Sequence, residues 1–238
     1  MLATRFAALC GLILLFHLTA CQSRQFPTMT LYESPTSFVR LEADPTVRNA
    51  GHSHPVSMTE EEMAAVLSGI MIDEPPRLLS FLDKDKEPPH HPAFTEAEVQ
   101  FFAPLLAVGL RQATPEEVVT FYQTRQDTAI IRKVTSGGLF VDGEEMHIVL
   151  SNYRSPTHYM ADPGVDDTTD DRLTPMRSIA PQQAGLDFEP SHAIAPSHKN
   201  WLSTLFSTDR RELVVLYRKV APAKAGAPHA ADHDPTKD

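Results

Sequence analysis

Two closely spaced histidine pairs are the residues of this chain best suited to bind a metal ion. His52 and His54 are separated by one serine, so an extended backbone places both imidazoles on the same side. His90 and His91 are adjacent and offer a second pair of nitrogen donors. Four imidazoles from two loops could coordinate zinc or copper. Neither pair has a carboxylate at helical spacing and both lie beside prolines, which favours the alternative of solvated loop histidines.

A second group of polar side chains follows the apolar run Met146 to Leu150. Within eight residues the chain offers an amide, a guanidinium, an imidazole and a phenol, at Asn152, Arg154, His158 and Tyr159. Side chains where a strand passes into a loop often orient a polar ligand, so these four predict a ligand-binding pocket. In the alternative interpretation, Arg154 pairs with a downstream aspartate while the tyrosines of this stretch cover the core.

Other chemical motifs are weak or missing. The acidic run from Asp162 to Asp171 lacks the residue order and the distal glutamate of an EF-hand loop, which favours a solvated loop over a calcium site. The sequence contains neither a G-x-S-x-G motif nor a glycine-rich phosphate loop. These observations favour a protein that is not an enzyme and needs no cofactor, although a hydrolase triad built from distant residues remains a hypothesis.

The N-terminal segment has the pattern of a bacterial secretion signal. Arg5 is the only charged residue before Cys21, and Phe6 to Phe16 is an apolar or small stretch of eleven residues. Such a helix rises only about 16 Å, too short to span a bilayer. The residues Leu18-Thr19-Ala20-Cys21 follow, and this run resembles the lipobox of bacterial lipoproteins.

The resemblance implies that the signal is cut before Cys21 and that Cys21 carries the lipid anchor. Several acyl chains hold a protein on a membrane stably, whereas one holds it marginally. Gln22 follows the cysteine, and the absence of aspartate there implies the outer membrane, on its periplasmic side. Cys10 leaves with the signal, so no thiol or disulfide chemistry remains in the mature chain.

Charge and composition limit the classes of partner that the protein can bind. The formal net charge is −10 at pH 7 and becomes −11 once Arg5 is removed, which disfavours binding to nucleic acid. The leading hypothesis is a non-enzymatic, lipid-anchored envelope protein that binds another envelope protein. The first alternative is a periplasmic lipoprotein that binds a metal or a small ligand, and the second is an unrecognised periplasmic hydrolase.

Prolines and composition predict the domain organisation. Residues 1–20 form the signal peptide, 21–36 a polar tether, 37–220 one domain, and 221–238 a disordered tail. Residues 155–197 contain many prolines and predict a long irregular loop inside that domain.

The secondary-structure signals predict an α+β domain. Three capping boxes begin at Thr59, Thr95 and Thr114 and each predicts a helix start. Pro104 is expected to kink or split the second helix. Strands are predicted at 37–42, 129–135, 139–141, 146–150 and 212–220. Ser136-Gly137-Gly138 is predicted as a turn, Asp142-Gly143 as a tight hairpin turn, and the last strand in a central position. Three helices from the first half should therefore pack on a mostly antiparallel sheet formed by the second half.

Overall fold

The computed structural model describes residues 27–44, 47, 51–74, 88–128, 131–158, 171–181, 184–196 and 211–220. The predicted signal peptide, Cys21, Tyr159, the acidic residues 162–170 and the C-terminal tail lie outside the described residues.

The described residues form nine strands, two α-helices and two short 3₁₀ turns. The strands are β1 (Pro27–Glu33), β2 (Ser37–Ala43), β3 (Ile70–Asp73), β4 (His90–Pro92), β5 (Glu117–Gln126), β6 (Ile131–Asp142), β7 (Glu145–His158), β8 (Gly185–Phe188) and β9 (Glu212–Leu216), and the helices are α1 (Glu60–Gly69) and α2 (Glu96–Gln112). A six-stranded antiparallel sheet has the order β1-β2-β5-β6-β7-β9. A three-stranded antiparallel sheet has the order β4-β3-β8. The mostly antiparallel α+β architecture is therefore confirmed.

The number of helices differs from the prediction. Thr59 and Thr95 cap α1 and α2 through complete capping boxes, as expected. At the third box Glu117 accepts a hydrogen bond from the Thr114 amide (2.8 Å), but the chain then enters β5. The β-branched residues that follow Glu117 pair with β2 on one side and β6 on the other, and this pairing outweighs the local helix signal. The described domain thus has two helices rather than three, and α2 runs unbroken through Pro104.

Several boundaries also differ. The sheet is not built from the second half alone, because β1 and β2 form one side of it and β1 lies within the predicted tether. The glycine pair at 137–138 lies inside β6 rather than in a turn. The predicted irregular loop at 155–197 contains the end of β7 and all of β8. Strand β9 is an edge strand, and part of its outer edge is covered because Ile194 forms a β-bridge with Val215.

The main core lies between the helices and one face of the large sheet. The aromatic rings of Phe94, Phe102 and Phe121 contact one another at centroid distances of 5.6–6.2 Å. Leu106 and Leu110 continue the apolar stripe of α2 and are fully buried. On the opposite face Phe38 stacks on Tyr122 at 5.2 Å, and residues 171–177 cover that face.

A glycine allows the backbones of β6 and β7 to approach each other closely. The Asp142–Glu145 hairpin joins β6 to β7, with Gly143 in the left-handed region (φ +60°), as the Asp142-Gly143 pair predicts. Gly137 of β6 lies against the backbone of β7, and a Cβ atom there would overlap the carbonyl oxygen of Val149. The position therefore accepts no side chain without moving the backbone.

We expect Gly137→Ala to lower the free energy of unfolding by about 1–3 kcal/mol, because the methyl group must displace β7. Gly185→Ala in β8 is the matched control, since its Cβ would meet Asp73 at an ordinary 3.4 Å; its expected effect is within about 0.5 kcal/mol. Urea denaturation measures both. Equal effects at the two positions would contradict the close approach at Gly137.

Candidate functional site

The predicted histidine ligands occupy different environments. His54 is 5% exposed and its Nε2 accepts a hydrogen bond from the Val141 amide at 3.1 Å. Burial lowers the pKa of His54 to about 4, so it stays neutral. His52 contacts Asp44 through Nε2 at 3.2 Å and packs on the ring of Phe140. The lone pair of His54 Nε2 therefore already accepts a hydrogen bond from the backbone.

His91 is also occupied by structural contacts. Its Nδ1 lies 2.7 Å from the carbonyl oxygen of Pro88, and its Nε2 lies 3.0 Å from the hydroxyl of Tyr153. The carbonyl accepts only, so Nδ1 donates and Nε2 accepts from the tyrosine. His91 thus ties the small sheet to the large one, while its neighbour His90 points to the opposite face.

His90 lies among carboxylates. Asp73 is its direct cross-strand partner, and Asp187 of β8 lies on the same face because it pairs with Met71. One potential ligand atom from each of Asp73, His90 and Asp187 lies within 4.8 Å of the other two. Each strand of the small sheet therefore contributes one ligand, and we call this group the strand triad.

The hydrogen bonds of His90 favour its protonated form. Its Nδ1 contacts Asp73 Oδ1 at 2.5 Å and its Nε2 contacts Glu189 Oε1 at 3.2 Å. Asp73 first and Glu189 second raise the pKa of His90 above its ordinary value of 6.5. The site is thus suited to an imidazolium held between two carboxylates, and a cation that binds here has to replace that proton.

Of the four predicted ligand-binding residues, Tyr159 lies outside the described residues, and Asn152 and Arg154 have different surroundings. Asn152 is 1% exposed and serves as an anchor. Its Nδ2 donates to Ser136 Oγ and to the Arg177 carbonyl, and its Oδ1 accepts from the Ile179 amide, at 2.8–2.9 Å. These bonds fix residues 171–181 to the sheet. His158 ends β7 opposite Ile131.

Arg154 lines an open cleft of about 330 Å³ at the end of β5, next to the first turn of α2. The cleft is lined almost entirely by polar side chains, which are those of Thr95, Glu98, Gln123, Arg125, Gln126, Asp127, Lys133, Thr135 and Arg154. Arg154 has a positive φ of 46°, and among the described non-glycine residues no other has a positive φ. The sequence therefore indicated Arg154 but not its neighbours, which come from the start of α2 and from the β5–β6 hairpin.

A buried polar cluster on the other face of the sheet was not predicted. The guanidinium of Arg40 stacks on Phe38 at 3.8 Å and pairs with Glu33 at 2.8 Å, and Arg172 reaches the same carboxylate. Glu42, two residues along β2, is 1% exposed. Burial raises its pKa to about 7, while Thr120 and Arg40 act in the opposite direction. The only sequence signal for this cluster was the alternation of Phe38, Arg40 and Glu42. Its two charged residues resemble those on the solvent-facing side of a strand.

Comparison with protein-family models, with curated proteins and with solved structures gives no match. Among the described residues, neither helix is long and apolar enough to cross a membrane.

The buried carboxyl of Glu42 predicts a pH dependence of stability. Its folded pKa of about 7 exceeds its ordinary value of 4.5, so the folded state holds the proton more tightly. Stability is thus lost as pH rises through this window, by about 3 kcal/mol for this group. We expect Glu42→Gln to remove that loss and to be more stable than wild type at pH 8. Urea denaturation from pH 4.5 to 8 tests this, with exposed Glu144→Gln as the control that keeps the wild-type profile.

Proposed function

We propose that this chain is a lipid-anchored protein of the cell envelope, held by Cys21 in the outer membrane, whose domain binds a divalent metal ion at the strand triad. The lipobox pattern supports the anchor. The metal proposal rests on one observation: an imidazole nitrogen and two carboxylate oxygens from three adjacent strands converge within 4.8 Å.

The ligand types favour zinc or manganese among the available divalent ions. Nitrogen and carboxylate ligands suit Zn²⁺ at about 2.0–2.2 Å, and three protein ligands leave a fourth position for water or for a further ligand. The ligand atoms of a tetrahedral site lie about 3.4 Å apart. His90 Nδ1 and Asp73 Oδ1, which are 2.5 Å apart, therefore have to separate slightly to admit the ion. Asp73 and His90 are exposed, so their side chains can adjust without movement of the strands. Glu189 contacts the other ring nitrogen of His90, where it can orient the imidazole of the ligand.

Metal binding is expected to depend on His90 and on pH. In isothermal titration calorimetry of the detergent-solubilised protein with Zn²⁺ and, separately, Mn²⁺, His90→Ala should remove one binding site. The carboxylates raise the pKa of His90, so the proton competes with the metal ion up to a higher pH. Metal affinity should therefore increase as pH rises from 6 to 8.

The control for this titration is His192→Ala, which removes an exposed histidine outside the triad. It should keep the full stoichiometry. Asp187→Asn should weaken the same site at least tenfold without unfolding the protein, since Asp187 is partly exposed. Unchanged binding in both His90→Ala and Asp187→Asn would show that the metal binds elsewhere or not at all.

The anchor has a separate test. Cys21→Ser removes the thiol that would carry the lipid, so the precursor should remain uncleaved. Because it carries no lipid, the variant should leave the detergent phase in a phase-partition assay. Mass spectrometry of the wild-type protein should show an acylated N-terminal cysteine. A serine variant that is processed and partitions like wild type would refute the lipoprotein assignment, whatever the result of the metal titration.

Binding of another envelope protein stays a prediction. The feature that supports it is β1, the outer edge strand of the large sheet, which begins only a few residues after Cys21 and exposes Met29 and Tyr32. An exposed strand edge offers backbone donors and acceptors to a partner strand. Crosslinking of the anchored protein in its own membrane would identify such a partner.

A further inference from the structure

An apolar surface runs along the edge strand β1 and the neighbouring side of α2, and it stays partly exposed in the described part of the domain. This β1–α2 surface consists of Met29, Leu31, Tyr32, Phe101, Leu105 and Val108. We propose that it rests on the lipid bilayer and forms a second membrane contact of the anchored protein. The proposal rests on the lipid anchor at Cys21 proposed above and is independent of the strand triad.

The register of β1 places its apolar side chains on the helix side of the large sheet. Met29 pairs with Leu41 of β2, which belongs to the core beneath the helices. Tyr32 pairs with Val39, which belongs to the same core. Directly opposite residues of an antiparallel pair point to the same face, so Met29 and Tyr32 point to the side of α2. The ring of Tyr32 contacts that of Phe101 edge to face, with a centroid distance of 5.1 Å.

Helix α2 is apolar on two sides. One stripe fills the core, as described above, and the second consists of Phe101, Leu105 and Val108, at the i, i+4, i+7 spacing of one helix face. These three residues are only partly buried, on a side where a helix of a globular domain usually carries polar residues. Leu31 of β1 lies against α2 at Gly109, so the strand and the helix form one surface. Single exposed apolar residues are common, whereas a continuous apolar surface marks an interaction site.

The β1–α2 surface lacks charge within an acidic protein. Strand β1 has no charged residue before Glu33, and α2 has none between Val99 and Leu110, although the formal net charge of the chain is −10. Glu33 pairs with Phe38 and therefore points to the opposite face of the sheet. The surface can thus approach lipid without removing a charge from water. Tyr32 adds an aromatic ring with a polar tip, a type of side chain that is enriched where membrane meets water.

The short connection to the anchor keeps this surface near the membrane. Pro27 begins β1 six residues after Cys21, a length over which an extended chain spans at most about 20–22 Å. A compact domain with the length of residues 27–220 is about 40 Å across. The start of β1 therefore stays within about half a domain diameter of the lipid, and Met29 follows two residues later. Because the anchor gives the surface a high effective concentration at the membrane, a weak contact is enough to orient the domain.

The side chains of the surface favour lipid over a protein as its partner. A protein interface carries about one hydrogen bond per 100–200 Å², yet the Tyr32 hydroxyl is the only hydrogen-bonding group among these six side chains. The backbone edge of β1 lies in the plane of the sheet, whereas the side chains stand roughly perpendicular to it. A partner strand at that edge and a bilayer against the β1–α2 surface therefore do not compete.

Site-directed spin labelling measures the contact directly. Once Cys21 is acylated, the mature chain has no free thiol, so one introduced cysteine is labelled alone. Full-length acylated protein with Met29→Cys carries a nitroxide and is placed in phosphatidylcholine vesicles. The label's collision rate with oxygen, which concentrates in the bilayer, is divided by its collision rate with a water-soluble nickel complex. We expect this ratio to be at least threefold higher at Met29 than at the control position.

The matched control is Leu173→Cys. Leu173 is 49% exposed and Met29 is 46% exposed, but Leu173 belongs to the segment that covers the opposite face of the sheet. Both labels therefore sit at exposed apolar positions of the same protein on the same vesicles, and only the face differs.

A charge on the surface should weaken the contact. For this test the label is placed at Gln100→Cys, an exposed position of α2 next to Phe101. Adding Met29→Glu should lower the ratio of this label at least twofold, because a carboxylate then has to face lipid. Leu173→Glu should leave the ratio unchanged. Both positions are exposed, so neither substitution should change Tm by more than about 2 °C.

The outcomes separate this inference from the anchor. Equal ratios at Met29 and Leu173, in protein that stays on the vesicles, would overturn the lipid contact and leave the anchor intact. A Met29 label shielded from both reagents, with dipolar broadening that persists on dilution with lipid, would overturn it in favour of a second copy of the chain. Protein that does not stay on the vesicles would refute the anchor and this inference with it.

Discussion

The pairing of β6 with β7 is the constraint on which most of this structure depends. These are the two longest strands, and their register shifts by one residue at two places, between Val134 and Ser136 and between Ser136 and Gly138. Each shift places an extra residue on β7 and reverses the alternation of its side chains. The backbone of β7 approaches β6 at Gly137, where any side chain would obstruct it. Without this approach the register of the following residues would change.

Both faces of the sheet use that altered register. Ser151 and Asn152 are neighbours, yet both reach the covering residues 171–181. Tyr153 then packs in the helix-side core and joins His91, which links the small sheet to the large one. Arg154 follows in the left-handed conformation and enters the cleft. Thus one irregular strand anchors the covering segment, connects the two sheets and contributes Arg154 to the lining of the cleft.

The sequence predicted local features better than their assembly. The boxes at Thr59 and Thr95 and the Asp142-Gly143 turn depend on neighbours a few residues apart, and the structure confirms them. The same chemistry at Thr114 failed as a helix signal because two strands pair with the residues after it. Likewise, a polar segment with two prolines looked like a tether, but β2 supplies backbone hydrogen bonds that make its middle a strand.

The candidate sites were harder to predict because their residues are distant in sequence. His90 was identified, but its carboxylate neighbours are brought to it by β3 and β8, and nothing near His90 in the sequence indicates them. Arg154 was identified, whereas Arg125 and Lys133 became visible only when β5 and β6 paired. Asn152 was predicted to bind a ligand, whereas its side chain hydrogen-bonds to Ser136, Arg177 and Ile179 within the fold. The residue types therefore indicated which polar residues could take part in a site. Only the strand register determined which residues each of them contacts.

The overall charge of the chain supports the proposed cation site. The strand triad is acidic within an acidic protein, so local and long-range fields both attract a metal cation. Salt screens interactions beyond about 8–10 Å most strongly, so it weakens the long-range attraction and leaves the contacts inside the triad. The site therefore depends mainly on the carboxylates that β3 and β8 bring close to His90, and the acidic surface as a whole adds to the attraction at low ionic strength.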